Sequence, residues 1–326
     1  MPDYHNNQCV ITDLDNTLYD WVEAFIPAFR AMVHVLTRIT GVSEEDLYRS
    51  FKVVYAKHQS LEYPFAIQEL EVLENQRLSE QELKEKIIHP ARIAFSRTRD
   101  KRLQLYPNVK QTLHWLKAQG FIIIGLTDTN LYQAERRLQH LHIDRFFDHL
   151  ISRKNFELSE QAREYIKRKL IDNTTKNSPH IQLELFRSEY PTNSPIDLNL
   201  DKSILNIKNT QLEPGALKPA TDSFEIIATL YQLNPELTYL VGDNLWKDIS
   251  LAQKVGVNDI WARYGKHQDS KNLDTLRLIT YWSERDISCN KRAEQNIKPK
   301  YTIEDFSQIR SIVNPRQMTL FADSDL

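Results

Sequence analysis

Glycine and cysteine are scarce in this chain, long apolar runs are missing, and neither sign of charge dominates. Only seven of the 326 residues are glycine, none lies between Gly125 and Gly215, and no internal repeat or low-complexity tract occurs. The two cysteines, Cys9 and Cys289, lie far apart, which argues against a disulfide framework. No apolar stretch approaches the roughly 20 residues that a membrane-spanning helix needs. A net charge of −2 and a pI near 6.6 supply no basic field for nucleic acid or an anionic membrane. The first residues (Met1-Pro2-Asp3-Tyr4-His5) lack a basic segment followed by an apolar one, so no signal peptide is expected. These absences predict a soluble cytoplasmic protein with no direct nucleic-acid binding. Its length suits one main domain with insertions.

What is present starts at Asp13-Leu14-Asp15-Asn16-Thr17. The preceding run Cys9-Val10-Ile11-Thr12 reads as a buried strand, and two carboxylates follow it two residues apart. Close carboxylates repel unless a cation or proton offsets them. A hard divalent metal with oxygen ligands, Mg²⁺ by preference, meets that need. One carboxylate left free to attack suits phosphoryl transfer through an aspartyl-phosphate.

The pattern then turns helical. Asp20 and Glu23 suit a capping box, and Val22, Phe25, Ile26, Phe29, Met32, Val33 and Leu36 form a stripe at helical spacing. Gly41 closes that helix, Ser43 opens another, and further helices are expected over 64–75 and 79–97. Residues 19–103 therefore read as an all-helical cap inserted into a core formed by 1–18, 104–151 and 215–313. In that core, strands (121–126, 146–151, 239–241, 257–261) alternate with helices, predicting an α/β, doubly wound, Rossmann-like parallel sheet. Residues 152–214 form a polar insertion too long for an ordinary loop, read as a lid, a small subdomain or disordered chain. Residues 266–297 form a charged, variable interruption, and 314–326 a tail.

Ligands of open α/β sheets gather beyond the carboxyl ends of the strands. Asp13 and Asp15, Thr127 and Asp128, and Asp243 all leave strands at that edge, and Asp248 follows in the first turn of the next helix. Burying these acids without a cation would be prohibitive. Lys218 precedes Pro219, a residue suited to a first helical turn, and is placed to reach across the carboxylates.

In these residues the chain resembles the haloacid dehalogenase-like hydrolase superfamily: Asp13-Leu14-Asp15-Asn16-Thr17, Thr127 after an apolar strand, Lys218-Pro219, and Val241-Gly242-Asp243-Asn244-Leu245-Trp246-Lys247-Asp248, in that order. The resemblance implies that Asp13 is nucleophile and metal ligand. Asp15 would be general acid then general base, lending its carbonyl to the metal. Asp243 would bind Mg²⁺, with Asp248 a further ligand or a residue that supports the ligands from behind, and Thr127 and Lys218 would hold the phosphoryl group. Asp128 stands where many relatives carry Asn, adding a negative charge near the phosphate. Its backbone amide alone, or an inward-facing side chain, are both open readings. An acid at Asp15 favours phosphate-ester hydrolysis over dehalogenation. Carbon–phosphorus cleavage would need a Schiff-base lysine in the cap, for which Lys52, Lys57, Lys84 and Lys86 are available. The substrate is then a small phosphorylated metabolite. The run through Tyr19 is similar to that of pyrimidine 5′-nucleotidases, so a nucleotide is one option, with Tyr48, Tyr55, Tyr63 or Phe65 stacking on the base. Packing of these rings into the cap's core is the plainer option.

His140, His142 and His149 do not share a face and lack partners for a zinc site. Gln317-Met318-Thr319-Leu320-Phe321 resembles the peptide by which bacterial replication and repair proteins bind the sliding clamp. Leu320 and Phe321 would enter an apolar groove, with Gln317 at its edge. The second reading is thus an interaction protein docked to such a clamp, with weak or accessory phosphatase activity.

Overall fold

A computed structural model describes residues 7–76, 78–155, 207–282 and 284–314. Seven strands form one sheet: β1 (Cys9–Thr12), β2 (Ile122–Asn130), β3 (His149–Arg153), β4 (Lys208–Leu212), β5 (Thr238–Gly242), β6 (Asn258–Ala262) and β7 (Tyr301–Ile303). Their order is β4-β3-β2-β1-β5-β6-β7 and every pairing is parallel, the doubly wound sheet expected from the alternating pattern. β1 lies at the centre. Val10 packs into one apolar layer while Cys9 and Ile11 pack into the other, so both faces are covered.

The first layer takes Val109, Leu113 and Leu116 of α5 (Val109–Ala118) and Ala134 and Leu138 of α6 (Leu131–His140). The second takes Phe224 and Ile227 of α7 (Asp222–Tyr231) and Leu251 and Ala252 of α8 (Ser250–Val255). Register fixes the functional edge. Thr12 pairs with Gly125 on one side and Val241 on the other, so Asp13, the residues after Leu126 and Asp243 emerge together.

The cap holds α1 (Trp21–Thr40), α2 (Glu44–His58), α3 (Glu80–Leu83) and α4 (His89–Arg102). Asp20 caps α1 by accepting from the Glu23 N–H at 2.8 Å, and Gly41 closes it at φ 74°, a left-handed conformation suited to glycine. The capping box is half formed, because the Glu23 carboxylate turns to Asn272 and Arg102. The helix expected over 64–75 is two 3₁₀ turns, Ala66–Glu69 and Glu71–Gln76. Ile67, Leu70 and Leu73 are buried at intervals of three, the period of that tighter helix. The helix expected over 79–97 is α3, a π turn (Lys84–Ile88) and α4, which runs on to Arg102.

Three stretches extend the sheet and its cover beyond what apolar runs foretold. β2 continues past Leu126 through Thr127 and Asp128 to Asn130, with a register shift against β3. β4 lies inside the stretch read as a polar insertion. It is an edge strand, Lys208-Asn209-Thr210-Gln211-Leu212, in which only Leu212 is buried, so no apolar run marks it. Within 266–297, α9 (Ser270–Ile279) gives Leu276 and Ile279 to the cap's core, and Arg30 of α1 donates to Asn272 at 3.0 Å. Ala293 of α10 (Glu284–Asn296) packs on Leu245 and Ile249. The chain ends its described part in α11 (Ile309–Val313). Among the described residues no helix is long and apolar enough to cross a membrane. Most of 152–214 and the tail residues Gln317, Leu320 and Phe321 lie outside the described residues.

Candidate active site

Three carboxylates converge at the carboxyl edge of the sheet. Asp13, Asp243 and Asp248 each offer an oxygen within 4.8 Å of the others'. Asp13 follows β1 directly and its N–H donates to Val241 O at 2.8 Å, tying it to β5. Asp243 follows β5, and Asp248 sits in the π turn Leu245–Ile249, capped by Asn244. Gly242 makes this turn feasible, since a Cβ there would lie 2.3 Å from the Asp248 carboxyl carbon. Gly265 is a second close approach: its Cβ would meet Asn16 O at 2.0 Å and Asp243 Cβ at 2.7 Å.

Lys218 lies between the acids. Its ammonium donates to Asp13 Oδ1 at 2.5 Å and Asp248 Oδ1 at 2.7 Å, with only 7% of the residue exposed. Burial alone would depress its pKa, but Asp13, Asp248 and Asp128 raise it well above the usual lysine range, so it stays charged. Burial pushes Asp13 up to about 7, against the pull of Lys218, and raises Asp243 as well, with Asp13 adding to the effect. One ammonium does not offset three clustered carboxylates, and the ligand atoms that Asp13, Asp243 and Asp248 offer are all carboxylate oxygens. That donor set fits a hard divalent cation. The Lys218–Pro219 peptide is cis and α7 starts only at Asp222, so Pro219 precedes the helix rather than opening it as expected.

Thr17, quoted in the first motif but given no role from sequence, joins the acids. It donates to Asp13 Oδ2 at 2.9 Å and accepts from the Asp243 N–H at 3.1 Å, while Tyr264 donates to its carbonyl at 2.6 Å. Trp261 Nε1 donates to Asp243 O at 2.8 Å. Thr127 is buried, and its hydroxyl oxygen accepts from the Thr129 N–H at 3.1 Å, leaving its own O–H to donate.

Asp15 stands apart from the acidic trio. Its Oδ2 accepts from Thr129 Oγ1 and its Oδ1 from Arg137 Nη1, both at 2.7 Å, and Arg137 also pairs with Glu62 of the cap. Arg137 and Thr129 escaped the sequence reading, and nothing in their local pattern marks them. The Asp128 carboxylate accepts from the Lys218 N–H at 3.1 Å and from Lys247 Nζ at 2.6 Å. Lys247 was quoted within the last motif without a role.

The aromatic and histidine candidates go elsewhere. Tyr55 and Tyr63 are buried in the cap's core, Tyr48 and Phe65 pack against it, and Tyr63 stacks on His58. A cavity where the cap meets α6 is lined by Phe25, Tyr55, Tyr63, Phe95, Glu62 and Gln133, and no residue of the acidic trio lines it. His140 faces Asp100 O, and His149 faces Tyr231 and Thr210. Lys57 and Lys86 are engaged by Glu69 and Glu82.

Comparison with known proteins gives the family. The model of haloacid dehalogenase-like hydrolases matches residues 8–177, and that of HAD-hydrolase-like proteins matches 216–282. A glyceraldehyde 3-phosphate phosphatase of Methanopyrus kandleri is 26% identical over 266 residues, 80% of this chain and 86% of that protein. One of Pyrococcus furiosus is 22% identical over 177 residues, 54% of this chain and half the length of that relative. Among solved structures, a HAD phosphatase from Thermococcus onnurineus aligns with TM-score 0.51 at 16% identity, covering 94% of this chain and 97% of its own. A 2-haloacid dehalogenase from Pseudomonas syringae pv. Tomato DC3000 aligns equally well, with TM-score 0.51 at 16% identity and 95% and 99% coverage. The fold is thus common to a phosphatase and a dehalogenase and does not choose between them. From the match over more than half its length, the chain belongs to the haloacid dehalogenase-like hydrolase family.

Proposed function

We propose that this protein is a Mg²⁺-dependent phosphomonoesterase that works through an aspartyl-phosphate on a small phosphorylated metabolite. The observation that carries the reading is the Lys218 ammonium shared by Asp13 and Asp248, with Asp243 alongside. Asp13, Asp243 and Asp248, with the Asp15 carbonyl, would hold the metal, which when bound offsets charge on the transferring phosphoryl group. An Asp13 oxygen attacks phosphorus as the ester P–O bond breaks, and Asp15 gives the departing oxygen its proton. Asp15 then takes a proton from water, whose oxygen attacks phosphorus and frees both phosphate and Asp13. Lys218 and the Thr127 hydroxyl hold the phosphoryl oxygens throughout.

The relatives that hydrolyse glyceraldehyde 3-phosphate support a sugar phosphate or similarly small ester. A nucleotide is less favoured because, of the four cap rings that would stack on a base, Tyr55 and Tyr63 are buried in the cap's core and Tyr48 and Phe65 pack against it. Asp13→Asn should cut hydrolysis of p-nitrophenyl phosphate with Mg²⁺ on the order of 10³-fold or more, with the circular dichroism spectrum retained. Near-normal turnover by that variant would reject the mechanism.

The second reading rests on the Gln317-Met318-Thr319-Leu320-Phe321 tail alone. Full-length protein should then bind purified sliding clamp, and deletion of 317–321 should abolish capture while sparing small-ester hydrolysis. No binding by the full-length protein removes that reading.

A further inference from the structure

Asp128 adds a carboxylate beside the residue that faces the phosphoryl group. Its two oxygens are used differently. Oδ1 accepts from the backbone N–H of Lys218, whose side chain meets the nucleophile, and Oδ2 meets the Lys247 ammonium. Three separate parts of the fold thereby join: the end of β2, the turn before α7, and the π turn carrying Asp248. The carboxylate fixes Lys218, but its charge would repel a phosphoryl dianion unless something offsets it. Lys247 is the one cation paired with it by side chain among the described residues. Although burial favours its neutral form, the neighbouring Lys247 and Lys218 hold its pKa below the usual carboxylate range.

We propose that Asp128 and Lys247 act as one positioning unit for phosphate recognition: Asp128 sets the Lys218 backbone, and Lys247 cancels the charge this brings to the pocket. The inference rests on the phosphomonoesterase reading and assigns two of its residues. A plain surface ion pair would contribute to stability and leave phosphate affinity alone.

The test uses full-length protein with Mg²⁺, p-nitrophenyl phosphate as substrate and inorganic phosphate as inhibitor. Lys247→Met should raise both KM and the phosphate inhibition constant about tenfold while kcat falls far less, since an uncancelled charge now faces the anion. Adding Asp128→Asn to Lys247→Met should recover most of that affinity, because the amide oxygen still accepts from Lys218. Lys247→Arg should keep what Lys247→Met loses. The Lys247 side chain is 41% exposed, so these variants should fold, and thermal melts check it. A wild-type inhibition constant in Lys247→Met, or a double variant as impaired as the single, overturns the proposal. If Asp13→Asn is inactive in the same assay, only this inference falls. If Asp13→Asn is as active as wild type, the phosphatase reading falls and takes this with it.

Discussion

At Gly242 one missing methyl decides whether the acidic trio can assemble. A Cβ there would lie within 2.4 Å of three Asp248 side-chain atoms, and β5 cannot shift without disturbing β1 and β6. Gly242→Ala should therefore keep the fold but lose on the order of 10²-fold in Mg²⁺-dependent activity, the scale of an ångström-size misplacement. Wild-type turnover in that variant would show that Asp248 need not sit where it does. Most of the site was legible because Asp13, Thr127 and Asp243 each stand at the end of an apolar run, and Asp248 falls in the turn after the last of them. Lys218 was found through the proline after it, although that proline precedes α7 rather than opening it. Arg137 was not: its contact with Asp15 spans 122 residues, and on α6 it reads as one more charged position. The open question at Asp128 was whether its side chain or only its amide is used, and contacts to Lys218 and Lys247 are made by the carboxylate.

At the scale of elements, α6 follows the same logic. Its apolar residues Ala134 and Leu138 were visible as a stripe, but the same helix also buries Glu135, only 6% exposed. Burial pushes this carboxyl up to about 7. A folded-state pKa above the unfolded value means that the folded state holds the proton more tightly. Its contribution is therefore best at low pH and is lost as pH rises from about 4.5 through 7. Glu135→Gln should raise the melting temperature at pH 8 by about 2–4 °C, and leave it unchanged at pH 4. A lower melting temperature at pH 8 would mean that the charged form has a partner worth keeping. β4 and the 3₁₀ turns of the cap were illegible for a different reason. An edge strand buries little, and buried residues three apart mimic an α-helical stripe until the backbone is seen.

Across the whole molecule, the cap is bound to the core near the functional edge. Arg137 of α6 grips Glu62, and Arg153, the last residue of β3, donates to the carbonyls of His58 and Gln59 at the end of α2. The helix α9, which follows the last motif in sequence, completes the cap's apolar cluster. Helical cap and parallel core were readable as changes of hydrophobic period. Their joining was not, because it depends on arginines reaching between elements distant in sequence. An aspartyl-phosphate on Asp13 is the one covalent event expected of this site, and it is open to direct capture. Asp15→Asn protein mixed with p-nitrophenyl phosphate and Mg²⁺, then acid-quenched and digested, should carry one phosphoryl group on the peptide containing Asp13. An adduct on any other peptide, or phosphate released by wild type with no adduct in this variant, would contradict it.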